Sequence, residues 1–179
     1  TKTHVHCTFH LCWGAYAGLY YHYGIEKLDL DRKLFGIYPH KIMKPTSPLF
    51  RGFDDIFMAP HSRATDVRVS DVEAVPELEV MAVTEEGSLA IAKTKDSRQF
   101  FVTCHAEYDA DTLAQEYFRD MKKGLTTVDL PVNYFPDDDP EKTPVVTWRS
   151  TGQLLYSNWL NFYVYQSTPY DLYSKETKF

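Results

Sequence analysis

Cysteine is scarce: Cys7, Cys12 and Cys104 are the three in 179 residues, too few and too odd a number for a disulfide framework. Free thiols in a reducing, cytoplasmic compartment are therefore expected. No apolar run approaches the roughly 18 residues that cross a bilayer, which excludes a membrane-spanning helix and points to no membrane partner. Basic clusters are missing too. With a formal charge of −6 and no Lys/Arg run longer than pairs such as Lys122–Lys123, a nucleic-acid partner is excluded. Internal repeats, low-complexity tracts and linker-like stretches are also lacking, so residues 1–179 are expected to form a single domain. Residue 1 is Thr, and no signal-like segment follows it. It reads as an internal start, with an unknown amount of protein before it.

What is present is a globular composition, 44% hydrophobic and 25% charged, with thirteen Tyr, eleven Phe and three Trp. So many aromatics call for a sizeable core or a large buried interface. The β-prone run Thr8–Leu11 leads through Cys12 into Trp13-Gly14-Ala15-Tyr16-Ala17-Gly18, whose small residues let a helix begin close to a strand end, with Gly24 as its C-cap. Between Ile25 and Val69 the pattern is irregular, and Pro39, Pro45, Pro48 and Pro60 are expected to break any long element. Ser70–Glu73 has capping-box spacing, limited to about one turn by Pro76. Leu78–Val83, Ser88–Lys93 and Gln99–Cys104 read as strands, the last two forming a hairpin. Asp111–Lys123 is the clearest helix, with Leu113, Ala114, Tyr117, Phe118 and Met121 along one stripe. After a Pro- and Asp-rich loop over Pro131–Pro144, Trp148–Gln166 reads as a second long helix, apolar around much of its circumference and substantially buried.

Three sets of residues could carry chemistry. Cys12 stands at a strand-to-helix corner, where free helix N–H groups favour a thiolate and can hold a developing oxyanion. A buried structural thiol is the plainer alternative. His105-Ala106-Glu107 follows a strand; in an extended segment residues two apart share a side, so the carboxylate can orient the imidazole as a general base. A solvated loop pair fits the same spacing. Glu116 and Arg119 lie three apart on one helix and suit the ammonium and carboxylate of an amino acid, although an i,i+3 surface ion pair explains them as well. His4, His6, Cys7, His10 and Cys12 match no zinc-ligand spacing as a set, so no metal is expected.

Longer stretches carry a resemblance. His10-Leu11-Cys12-Trp13-Gly14-Ala15, Arg51-Gly52-Phe53-Asp54-Asp55, Ala59-Pro60-His61-Ser62-Arg63, Phe101-Val102-Thr103, His105 and Glu107-Tyr108-Asp109 are similar to segments of the homoserine O-acyltransferase (homoserine trans-succinylase) family of methionine biosynthesis. So are Leu113-Ala114-Gln115-Glu116-Tyr117, Asn133-Tyr134-Phe135-Pro136, Thr147-Trp148-Arg149-Ser150 and Asn158-Trp159-Leu160-Asn161. Coverage runs from about Thr3 to Leu172, against family members nearly twice as long whose N-terminal half is absent here.

The resemblance implies an α/β fold like the class I glutamine amidotransferases: an open, flavodoxin-like sheet with a cysteine at a nucleophile elbow. It implies Cys12 as nucleophile, His105 as general base and Glu107 as its orienting partner, with the Trp13 backbone N–H in the oxyanion hole. Lys33 and Ser62 match substrate-contacting positions, Arg119 the clamp on the homoserine carboxylate, and Glu116 is assigned to the ammonium. The implied reaction is ping-pong acyl transfer from acetyl- or succinyl-CoA, through a Cys12 thioester, to the γ-hydroxyl of L-homoserine. The CoA thioester is a substrate, no cofactor is tightly bound, and a homodimer is compatible with the family. Cys104 and Ala106 stand where the family usually has Gly and Pro, a change expected to reshape the pocket and to favour L-serine as an alternative acceptor. A glutamine-hydrolysing amidase and an inactive fragment are the other readings.

Overall fold

A computed structural model describes residues 2–124 and 128–169. In it β1 (Thr8–Leu11), β2 (Leu28–Ile42), β3 (Ile56–Asp66), β4 (Leu78–Thr84), β5 (Leu89–Thr94) and β6 (Gln99–Val102) form one sheet in the order β1-β6-β5-β4-β2-β3. The helices are α1 (Trp13–Tyr23), α2 (Val69–Glu73), α3 (Thr112–Lys122) and α4 (Arg149–Asn158). The sheet is the expected α/β open sheet, with β1 parallel to β6; the remaining described pairs are antiparallel. No described helix is long and apolar enough to cross a membrane.

The expected irregular stretch after Ile25 instead holds the two longest strands, β2 and β3. Their prolines do not break the ladder, because the N–H each lacks would face away from it. A strand residue turns its N and C=O to the same edge. The Pro60 carbonyl accepts from His105 N and the Pro39 carbonyl from Glu85 N, so neither proline removes a bond between β2 and β3. The shared ladder runs from Leu28↔Asp66 to Lys41↔Ile56, with a register shift between Asp29 and Leu34.

β6 is buried throughout and alternates between two core layers. Phe100 packs with Phe57, Met81, Ile91 and Leu155 on one face, while Phe101 packs with Ala15, Leu19 and Leu89 on the other. Full burial of each ring contributes roughly 2–3 kcal/mol. A third cluster, Phe35, Ile37, Leu113, Tyr134 and Trp148, joins β2 to α3 and the loop that follows it. The sheet curls far enough for edge strand β3 to meet the chain beyond β6, where Pro60 O and His105 N lie 2.8 Å apart.

Two expected helices differ in detail. Only Leu113 on α3 is fully buried; Phe118 and Met121 are half exposed, so the apolar stripe is narrower than its spacing predicts. The helix expected over Trp148–Gln166 is α-helical to Asn158 and then widens to a π-helix over Trp159–Tyr165. It is buried along one side, through Gly152, Leu155, Asn158 and Tyr163, while Leu160 and Tyr165 face solvent. At the junction, Asn158 Nδ2 donates to the carbonyls of Leu49 and Arg51, both at 2.9 Å, which fixes the helix against the short 3-10 segment between β2 and β3.

Candidate active site

Cys12 lies between β1 and α1 with φ 47° and ψ −114°, a conformation that side-chain-bearing residues avoid and that costs on the order of 1–3 kcal/mol. Three backbone bonds hold it there. Its N–H donates to Val102 O at 2.7 Å, and its carbonyl accepts from Ala15 N at 2.9 Å and Tyr16 N at 3.3 Å. The corner therefore inherits its geometry from the β1/β6 register, in which Leu11 stands opposite Val102. Trp13 opens α1, so its N–H is among those a helix leaves without an intrahelical acceptor. The Trp13 indole is three-quarters exposed and lines an apolar cavity of about 630 Å³ with Tyr16, Ala17 and Tyr20.

His105 follows β6, which ends at Val102 rather than at Cys104. His105 and Glu107 do meet, but across a turn closed by Tyr108 N donating to His105 O, not along an extended segment. His105 Nδ1–H donates to Glu107 Oε1 at 2.6 Å. Burial alone would lower the imidazole pKa; hydrogen bonds to the Cys12 side chain and to Glu107 outweigh it and raise the value to about 9. The ring thus keeps its proton at neutral pH, positioned between sulfur and carboxylate. Tyr108 stacks on it with centroids 4.2 Å apart and planes 20° apart.

Cys104 is fully buried among the core residues of the Phe100 layer, so its side chain fills core space instead of lining a pocket. Burial, with Glu107 nearby, pushes its thiol up to about 12. Ala106 packs against α4, where Gly152 comes so close that a Cβ would lie 2.3 Å from the Ala106 carbonyl oxygen.

A second group of side chains surrounds Glu116 on α3. Its Oε2 accepts from the Ser62 hydroxyl and from Lys33 Nζ at 3.4 Å; its Oε1 accepts from Tyr108 OH at 3.0 Å. Lys33 in turn lies over the Phe35 ring, 3.8 Å from its centroid. Lys33, Ser62 and Glu116 are therefore brought together. Arg119 is not paired with Glu116 as an i,i+3 salt bridge would require. Its guanidinium, half exposed, instead takes both oxygens of the adjacent Asp120, at 2.8 and 3.1 Å. Tyr108 and Asp120 are among the residues the sequence reasoning missed, as is Tyr156 of α4, whose side chain meets Glu107. Tyr108 joins the His105 ring to the Glu116 carboxylate, and the signal that could have found it is its place beside Glu107 in a matched stretch. Among the described residues no three His, Cys, Asp or Glu side chains converge to hold a metal.

Comparison with known proteins adds to this geometry. A family model described as homoserine O-succinyltransferase matches residues 1–170. A homoserine O-acetyltransferase of Acetivibrio thermocellus is 58% identical over 168 residues, 94% of this chain and 55% of that protein. Proteins of the same description from Petrotoga mobilis and Methanomethylophilus alvi are each 52% identical over 172 residues, 96% of this chain and 55% of theirs. The chain thus spans about half the length of the curated relatives it matches. Among solved structures, glutamine amidotransferases from Methylobacillus flagellatus and Thermotoga maritima superpose with TM-scores of 0.57 and 0.56 at 15% and 14% identity. Each match covers 85% of this chain, and 61% and 60% of the respective structures. That likeness concerns the fold.

Proposed function

The chain belongs to the homoserine O-succinyltransferase family, and we propose that it forms the C-terminal part of a homoserine O-acyltransferase catalytic domain. The observation that carries this reading is Cys12 on a strained corner, hydrogen-bonded to an imidazole that Glu107 orients, with the Glu116 carboxylate one aromatic ring away.

In the first half-reaction the Cys12 thiolate attacks the thioester carbonyl of acetyl- or succinyl-CoA, and the Trp13 N–H stabilises the oxyanion. The carbon–sulfur bond to CoA breaks, the departing thiolate takes the His105 proton, and the acyl group stays on Cys12. In the second, His105 removes the proton of the L-homoserine γ-hydroxyl as that oxygen attacks the Cys12 thioester. O-acylhomoserine leaves, Cys12 returns as thiolate and His105 retains the proton. Glu116 receives the acceptor ammonium, with Ser62 and Lys33 around it, and Arg119 the acceptor carboxylate. Thioester exchange is nearly balanced and transfer to oxygen runs downhill, so the protein's task is to position the reactants and keep water from the acyl-enzyme. Cys104 and Ala106, beside the base where the family usually has Gly and Pro, face the core and α4, so any preference for L-serine over homoserine would act through the position of the His105 turn and not through a side chain in the pocket.

Intact mass after incubation with each CoA thioester tests the reading. One acyl adduct is expected, absent from Cys12→Ala and discharged on adding homoserine; an adduct that persists in Cys12→Ala overturns Cys12 as carrier. Ammonia release from glutamine without acyl transfer would assign the site to an amidase instead.

A further inference from the structure

His61 takes no part in the steps above, yet both its neighbours do. The Pro60 carbonyl holds the His105 backbone N–H at 2.8 Å, and the Ser62 hydroxyl donates to Glu116. His61 itself points the other way, into the core, with no exposure. The residue opposite it on β2 is Gly36, and its ring lies between Tyr38, 5.8 Å away edge-on, and His40, 5.0 Å away and stacked. His61 Nε2 and His40 Nε2 are 2.8 Å apart. His40 in turn stacks on Phe57 at 4.8 Å.

The proton positions follow from the partners. Arg63 Nε can only donate, and it lies 3.1 Å from His61 Nδ1, so that nitrogen accepts. A neutral His61 then carries its proton on Nε2 and donates to His40 Nε2, which leaves the His40 proton on Nδ1, beside the backbone of Tyr38 and Phe57. Burial, reinforced by Arg63, His40 and His105, lowers the His61 pKa and keeps the ring neutral. The charged and titratable groups around the pair are Arg63 on its own strand, paired with Asp66 at 3.0 Å, Tyr16 of α1 near the Arg63 guanidinium, Tyr38 of β2, and His105 beyond β6. Its one cross-strand hydrogen bond has a fixed direction and ties β3 to β2 at the level of the site.

We propose that His61 is a positioning residue for the Cys12–His105 pair: its bond to His40 fixes the path of β3, and with it the Pro60 carbonyl that carries the His105 backbone. This rests on Cys12 and His105 being the reactive pair, and the test reads that pair without any substrate. The rate of Cys12 alkylation by iodoacetamide is followed against pH, with the modified peptide identified by mass, in the parent chain, His61→Gln and His61→Asn. The Gln amide reaches the position of Nε2 and keeps the bond to His40; the Asn amide sits at the position of Nδ1 and keeps only Arg63. Gln is expected to retain the parent profile. Asn is expected to shift its inflection and to change the rate at neutral pH at least threefold, while its far-UV spectrum and cooperative melt persist. A folded Asn variant with the parent profile overturns the proposal. Should Asn fail to fold, His40→Leu/His61→Leu removes the bond from both ends; of the buried donors only Arg63 Nε loses its acceptor, while the Arg63 guanidinium keeps Thr65 O and Asp66, and an unshifted profile in that variant overturns it equally. A flat profile in the parent would overturn the Cys12–His105 reading itself, a different result from any of these.

Discussion

Replacing Gly152 by Ala should damage the site from outside it. An added Cβ would stand 2.3 Å from the Ala106 oxygen and 3.2 Å from its carbonyl carbon. Both are backbone atoms, so no flexible side chain can swing aside. Restoring an ordinary contact of about 3.4 Å requires a relative shift of about 1 Å between α4 and the His105–Glu107 turn. α4 resists because Asn158 anchors it to the Leu49 and Arg51 carbonyls, both at 2.9 Å. The turn has one tie to the sheet, His105 N to Pro60 O, and is the part expected to move. For stability, overpacking costs about 1–3 kcal/mol, offset by about 1 kcal/mol of helix propensity. The net cost of up to about 2 kcal/mol should therefore lower the melt by no more than roughly 8 °C. The kinetic effect is larger, since a 1 Å misplacement of a reacting group can cost on the order of 100-fold. Stopped-flow acylation of Cys12 well below the melt, together with scanning calorimetry, separates the two. A Gly152→Ala protein that acylates at the parent rate and melts no lower would refute the reasoning.

Tyr108→Phe keeps the ring on His105 but removes the hydroxyl donated to Glu116; the KM for the amino-acid acceptor should rise about 10-fold with Cys12 acylation unchanged. Steady-state kinetics and single-turnover acylation distinguish the two halves, and a slowed acylation with constant KM would contradict it. Glu107→Gln leaves an amide oxygen to accept from His105 Nδ1 but removes the negative charge that helps hold the His105 pKa near 9 against burial, so the upper limb of the Cys12 alkylation profile should move to lower pH. An unmoved limb would show that Glu107 does not act on the imidazole. Acid should destabilise the fold through His40, whose pKa burial lowers to about 4. The folded state excludes a proton that the unfolded chain binds near 6.5, so this contribution is complete above pH 6.5 and fades between 6.5 and 4, by on the order of 3 kcal/mol. Urea midpoints at pH 7 and 4.5 should fall less in His40→Leu/His61→Leu than in the parent; an equal fall would remove these histidines from the acid transition.

Elements whose side-chain period is undisturbed were legible from sequence: α1 with its Gly24 cap, the β5/β6 hairpin and α3 lie within a residue or two of their expected bounds. β2 and β3 were not, because a proline argues against a strand only when its missing N–H falls on a ladder. Which edge Pro39 and Pro60 present depends on pairing that no local pattern contains. The π-helical turn after Asn158 escaped for a related reason: Asn158 is held by carbonyls from the Leu49–Arg51 segment, far away in sequence. The site divides in the same way. Cys12 announces itself at a strand-to-helix corner, and Glu107 lies two residues from His105. Glu116, by contrast, reads as helix-surface charge, since Ser62 and Lys33 lie 54 and 83 residues away.

The carboxylate of Glu116 also has a capacity that can be counted. Two oxygens offer about four acceptor sites, and Ser62, Lys33 and Tyr108 occupy three. Under the proposed reading one remains for an incoming ammonium, and Lys33, the longest of the three contacts and the only cation among them, is the partner an ammonium would displace. Tyr108 would stay, because its ring is fixed on His105 and its carbonyl accepts from Trp148. A filled acceptor site would then report to the base through one rigid phenol, and the hydroxyl to be acylated would arrive on the side of His105 that faces Cys12.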